Sequence, residues 1–179
     1  MAKRRNKKRD YVNNPDFFAA LVEYKKKCVE AEDQGEERPV VPDYIATCIY
    51  QIANRLATKP NFSGYTYKED MVMDGIENCL LYIDNFNPEK TENPFAYFTQ
   101  IIWYAFLRRI QKEKKQMYIR YKSSHHLIST GGTAESDEMQ LHLNTDVEYI
   151  NSFIQDYEDK IQRDKDKKKA NEVSSEIEK

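Results

Sequence analysis

The chain has 179 residues, 40% hydrophobic and 32% charged, with five glycines and a formal net charge of −2. That length supports one domain with a real core plus tails, and so few glycines point to a helical protein rather than a sandwich or barrel. No apolar run approaches the length of a membrane span, and no apolar stretch follows the basic start as a secretory signal would require.

Residues 1–12 read as a disordered basic arm: residues 1–9 carry Lys3, Arg4, Arg5, Lys7, Lys8 and Arg9 with no acid. Asn14-Pro15 supplies an N-cap and a proline at the first helical position, predicting a helix over 15–31 with Phe17, Leu21, Tyr24 and Cys28 on one side. A polar linker at 32–42 contains Gly35, Pro39 and Pro42. A second helix is predicted over 42–57, where Ile45, Ile49, Ile52 and Leu56 recur at helical spacing. Lys59-Pro60 ends it, and NFSGYT at 61–66 reads as a turn.

The third predicted helix covers 67–83. Val72, Ile76, Cys79, Leu80 and Ile83 point one way, whereas Asp70, Met73, Asp74 and Glu77 cluster on an exposed side. Gly75 falls between them, where a missing side chain would let a second helix approach. The acids Glu69 and Asp70 suit the N-terminal end of a helix dipole, but Glu77 does not, so an acidic docking face for a basic partner stands beside that reading.

After a loop at 84–93, Asn93-Pro94 starts a fourth helix. Carried to residue 117, it would be about 36 Å long. Phe95, Phe98, Thr99, Ile102, Ala105, Phe106 and Ile110 make its core face. Tyr97, Gln100, Tyr104, Arg108, Gln111 and Lys115 follow one another on the far side without a carboxylate, flanked by Trp103 and Leu107. A stripe of Tyr, Gln and Lys is often plain solvated surface. In a chain with thirty acids, an acid-free stripe leans toward nucleic acid. Tyrosine stacks on bases for about 1–3 kcal/mol each, Arg and Lys neutralise phosphates, and Gln bonds base edges.

Residues 123–137 read as a flexible connector containing Gly131-Gly132. A further helix is predicted over 145–169, with Val147, Ile150, Phe153, Ile154, Tyr157 and Ile161 as its apolar positions, followed by a disordered charged end. Residues 131–179 carry thirteen acids against seven bases. The domain reading is therefore an arm at 1–12, a helical domain at 13–122, and a connector, helix and acidic tail at 123–179. Cys28, Cys48 and Cys79 lie far apart and read as buried free thiols; neither they nor His125, His126 and His142 have the spacing of a metal site. No catalytic set, metal or cofactor is expected, and a metal-dependent nuclease is disfavoured.

The segment DMVMDGIENCLLYIDNFNPEKTENPFAYFTQIIWYAFLRRIQKEKK resembles region 2 of bacterial sigma factors. Taken with NFSGYT, NPFAYFTQ and the small size, the chain is most similar to the late-transcription sigma factors of T4-type phages. The resemblance implies an all-α, compact region 2-like domain with a partly disordered acidic tail, acting in the cytoplasm of an infected bacterial host. It implies that Asp70, Met73, Asp74 and Glu77 bind the clamp helices of the host RNA polymerase core. Phe86, Asn87, Lys90 and the 97–104 segment would then face promoter DNA and melt a short AT-rich −10-like late element. With the basic continuation, the implied DNA set is Phe86, Asn87, Lys90, Tyr97, Gln100, Trp103, Tyr104, Arg108, Gln111, Lys112 and Lys115. A sliding clamp and a late coactivator are further implied partners, although the terminal NEVSSEIEK departs from the clamp-binding motif of those factors. Ile101-Ile102 stand where primary sigma factors carry the strand-separating aromatic pair, and Trp103-Tyr104 follow two residues later. A polymerase-binding adaptor or inhibitor of the same fold, and a general single-strand-binding module, are the alternatives.

Overall fold

A computed structural model of the chain describes the backbone at residues 11–129 and 137–177 and the side chains at 11–123 and 147–171. The arm at residues 1–10, Gly131-Gly132, and the side chains of His125, His126 and His142 lie outside the described residues. The described chain is all-α. Its helices are α1 (Asn14–Gln34), α2 (Asp43–Ala57), α3 (Pro60–Ser63), α4 (Lys68–Leu81), α5 (Pro94–Ser129) and α6 (Asp137–Ile177), with a 3-10 turn at Ile83–Asn85. Contacts divide the chain into a first unit, Met1–Ile110, and a second, Gln111–Lys179. The sequence predicts a helical domain over 13–122. Residues 118–122 bond and stack with α6, so they belong to the second unit.

In the first unit α1 stops at Gly35, whose φ of 69° is the left-handed conformation that glycine adopts at no steric cost. The Glu36 N–H reaches back to the Ala31 carbonyl at 2.9 Å, closing the last turn. The linker then returns along the fold, where Arg38 makes two hydrogen bonds to Asp84 and a longer one to the Tyr24 hydroxyl. The Asp84 carboxylate raises the Arg38 pKa, with a smaller contribution from Tyr24.

Ile45, Ile49, Ile52 and Leu56 of α2 are buried as their spacing predicts, joined by Cys48, Ala53 and Ala57. The NFSGYT segment is not a plain turn. Pro60 starts α3, a single helical turn that drives Phe62 into the core against Phe106 and Trp103.

α4 sits rotated from its expected facing. Met71, Val72, Gly75 and Cys79 are its buried positions, while Leu80, expected inside, is 42% exposed. Burial pushes the Cys79 thiol up to about 12. Cys28 is only half-buried, so one of the three thiols departs from the buried expectation. Gly75 does permit a close approach: a Cβ there would lie 3.0 Å from Ile102 Cγ2 and 3.1 Å from Phe106 Cε1 of α5.

In the second unit, the Gln111–Ser129 portion of α5 and α6 carry the paired side chains. Tyr118 stacks on Tyr157 at 4.6 Å, Tyr121 sets an edge on Phe153 at 5.3 Å, and Lys122 pairs with Glu158. Helix α5 runs past 117 to Ser129, and α6 extends beyond the predicted 145–169 at both ends.

Candidate nucleic-acid and partner-binding surfaces

The start of α5 is fixed by side chains that serve its unpaired N–H groups. Asn93 is the N-cap, and its Oδ1 accepts from Ala96 N–H at 3.1 Å. Pro94 has no N–H to satisfy. The remaining donor, Phe95 N–H, bonds the Oδ1 of Asn14 at the head of α1 at 3.0 Å. The first turn of α5 is thus capped both locally and across the fold.

From that anchored turn, Phe95, Ala96, Thr99, Gln100, Trp103 and Tyr104 line a shallow groove of about 400 Å³. Trp103 is held from behind, its ring edge-on to Phe62 at 4.8 Å. Tyr104 is 52% exposed, and Gln100 is open to solvent. The Thr99 hydroxyl donates to the Phe95 carbonyl at 2.6 Å. The lining contains no charged group, so this surface favours flat, apolar or weakly polar ligands.

The predicted stripe divides here. Tyr97 and Arg108, eleven positions apart, lie on the same edge of α5, toward α4. Tyr97 is half-buried between Phe86 and Phe98, and its hydroxyl donates to the Tyr82 carbonyl at 3.0 Å. Burial raises its pKa, with a smaller contribution from Cys79. Arg108 stays exposed but gives one N–H to Asn78 at 2.6 Å. Gln100 and Trp103 open on the other edge, and Tyr104, seven positions and about 20° from Tyr97, stands between the two. Phe95 and Thr99, assigned to the core by periodicity, join them as groove walls.

The loop residues are not gathered at this groove. Phe86 is fully buried, packed against Phe18, Tyr97 and Phe98, with its carbonyl bonded by Lys25. It cannot face a ligand, because an aromatic ring at that position completes the core. Asn87 is half-buried and folds the loop, its Oδ1 accepting from Glu89 N–H at 2.8 Å. With Pro88 and Glu89 it lines a separate cleft of about 550 Å³ against Val22, Lys25, Lys26, Val29 and Glu30. Lys90 is exposed. In the second unit Gln111, Lys112 and Lys115 are all exposed.

The outward face of α4 presents Asp70, Met73 and Glu77, with Met73 63% exposed. Leu81 continues it at 68% exposed, so the surface is apolar as well as acidic. Asp74 does not share that freedom. Its carboxylate takes two hydrogen bonds from Arg109, at 2.7 and 3.0 Å, with side chains only 17% (Arg109) and 31% (Asp74) exposed. A wheel projection gives a residue's direction but not the reach of an arginine on the neighbouring helix, which is why the wheel alone puts Asp74 on the open face.

Among the described residues, no group of three His, Cys, Asp or Glu side chains could hold a metal ion, and no helix is long and apolar enough to cross a membrane. No protein-family model matches the chain, and no curated protein matches it.

Proposed function

We propose that this chain is a sigma-like initiation factor whose work is binding rather than catalysis. Its first unit docks on a host RNA polymerase core through the outward face of α4. The α5 groove then receives bases of a short AT-rich −10-like late promoter element as the duplex opens. The observation that supports this most is a pairing of unlike surfaces on adjacent helices. One is acidic and apolar, Asp70–Met73–Glu77–Leu81; the other is an uncharged aromatic groove ending at Tyr104. Each unstacked base held by a ring recovers about 1–3 kcal/mol of the opening cost.

The same reading makes the chain a phage late factor acting in the cytoplasm of an infected bacterium, with a sliding clamp and a late coactivator as further partners. The contact set is narrower than the sequence suggests. Met73, Asp70 and Glu77 carry the docking, whereas Asp74 holds α4 to α5. Gln100, Trp103 and Tyr104 carry base contact, with Arg108 and Lys90 at phosphates. Phe86 and Tyr97 support the site from within.

The test separates two steps. Met73→Arg with Glu77→Arg should lose core polymerase in a pull-down at an unchanged melting temperature. Gln100→Ala with Tyr104→Ala should retain the pull-down but lose permanganate-reactive thymines and specific run-off transcripts. If both variants lose the same step, the division of faces is wrong. The groove by itself also suits a single-strand-binding module, which would bind oligonucleotides fully without polymerase and start no transcript when core enzyme is added.

A further inference from the structure

The acidic balance of residues 131–179 conceals a reversal of sign. Six of their seven cations, Lys160, Arg163, Lys165, Lys167, Lys168 and Lys169, fall within ten residues of α6. Asp164 and Asp166 lie among them, with Asp156, Glu158 and Asp159 just before and Glu172 just after. Every side chain from 160 to 169 is exposed, and among the described residues none of the six cations makes an ion pair. Three of the acids are engaged elsewhere. Glu158 is held by Lys122, Asp159 accepts from the Gln155 amide at 3.0 Å, and Asp166 accepts from the Gln162 amide at 3.0 Å. Asp164 precedes Lys168 by four positions, the spacing that favours a helical ion pair, yet no pair forms.

The other helix of the unit adds cations at the same end. Tyr118 stacks on Tyr157 and Tyr121 meets Phe153, so position falls on α6 as it rises on α5, and the two run antiparallel here. The residues just before Tyr118 and just after Tyr157 therefore share one end of the pair. The first set carries Lys112, Lys114 and Lys115, all exposed, with Glu113 among them; the second opens the basic stretch at Lys160.

Length and composition select the ligand. The ten residues rise about 14 Å, over which duplex DNA presents about eight phosphates. No Tyr, Phe or Trp follows Tyr157, so the stretch has nothing to stack on an unpaired base. Ile161 is its one large apolar residue, so it lacks the apolar face with which a basic helix enters a lipid surface. All of the six cations but Arg163 are lysines, point charges that suit a phosphate backbone better than the edge of a base.

We propose that the cations of 160–169, with Lys112, Lys114 and Lys115, hold the phosphate backbone of double-stranded DNA without reading its sequence. This contact rests on neither the α4 face nor the α5 groove, and each of the three can fail without the others.

The experiment is fluorescence anisotropy of the full chain with a labelled GC-rich duplex of about 24 base pairs, over about 50 to 200 mM salt. A GC-rich probe leaves out the AT-rich element proposed for the groove. Each neutralised phosphate contributes about 0.9 to the slope of log K against log salt. Lys160, Arg163 and Lys167 share one edge of α6, within about 60° of one another and with Asp156 one turn before, so about three of the six cations meet a duplex at once. Replacing all six by Gln should lower the slope by about 2.7, so that affinity falls about fortyfold less than in the wild type across that salt range. Replacing Lys112, Lys114 and Lys115 by Gln should lower it by about 1 to 2. Both variants should keep the wild-type helix content by circular dichroism, because every replaced side chain is exposed. A wild type that binds no duplex at about 50 mM salt overturns the proposal, and so does a six-Gln variant that keeps the wild-type slope. Tighter binding of either strand alone than of the duplex, lost in the same variant, would assign the stretch to single strands instead. Retention on phosphatidylserine vesicles or on polyglutamate, with no binding of the duplex, would overturn it in favour of a lipid surface or an acidic protein.

Discussion

In the first unit the helices meet through dry contacts: Phe17, Ile45, Ile49, Ile52, Phe62, Phe98, Ile102 and Phe106 are at most 1% exposed. Around them no described polar or charged side chain is fully buried. In the second unit, the described side chains at 111–123 and 147–171 include none that is fully buried. Its helices meet instead through tyrosines that keep one edge wet, and through a lysine–glutamate pair that is half exposed. Helical periodicity therefore does not by itself measure stability. The first unit has the burial to hold surfaces in fixed positions. The second, with no fully buried side chain among those described, has the solvent-exposed packing of a region that opens locally, at a lower free energy than global unfolding.

The contrast is broken most forcefully at Phe106, which touches Phe62 and faces Gly75. Phe106→Ala should cost the first unit about 3–5 kcal/mol, read by denaturant unfolding. A loss below about 1 kcal/mol would mean that this core is not the close-packed one described. Asp74→Ala comes next. It removes two hydrogen bonds from a mostly shielded arginine, and should cost about 1–3 kcal/mol. Loss of the proposed polymerase binding in that variant without loss of stability would return Asp74 to the proposed docking face. Gly75→Ala is smaller because two effects oppose. The added methyl presses on Ile102 and Phe106, at about 1–3 kcal/mol, while alanine regains about 1 kcal/mol of helix propensity. A net loss of about 1 kcal/mol should appear in the same unfolding curves.

These sites also show what sequence can convey. The isoleucines of α2, the Phe98–Ile102–Phe106 face and the close approach at Gly75 follow from spacing alone, because a helix repeats its faces whatever it packs against. Phe62 did not follow, since a one-turn helix is too short to show a period. Met71 was missed because its neighbours in the first turn of α4 are charged. For the site, the exposed aromatic Tyr104 and the acid-free run were legible. The rotation of Tyr97 and Arg108 toward α4, the burial of Phe86 and the Arg109–Asp74 pair were not. Each depends on where a second element sits and how far a long side chain reaches. The Asn14–Phe95 cap joins residues 81 positions apart, and no local pattern announces it.

The mildest change belongs to the second unit. Glu158 accepts from both Lys122 and the Tyr118 hydroxyl, and Tyr118 stacks on Tyr157. The Lys122 hydrogen bond lowers the Glu158 pKa, and the Glu158 hydrogen bond raises that of Lys122. For a lowered carboxylate, the contribution is present above its unfolded value and lost as pH falls through the folded one. For a raised lysine, it is present below the unfolded value and lost as pH rises through the folded one. The pair should therefore add most between the ordinary carboxylate and lysine values of 4.5 and 10.5. Both charges face solvent, so salt screens them and Glu158→Gln should leave global unfolding unchanged. Its effect should appear only in hydrogen exchange of the amides around 150–160, faster at pH 7 in the variant and converging with the wild type as pH falls below 4.5. If instead global unfolding shifts as far as it does for Gly75→Ala, the second unit contributes to the stability of the whole chain and the contrast between the two units fails.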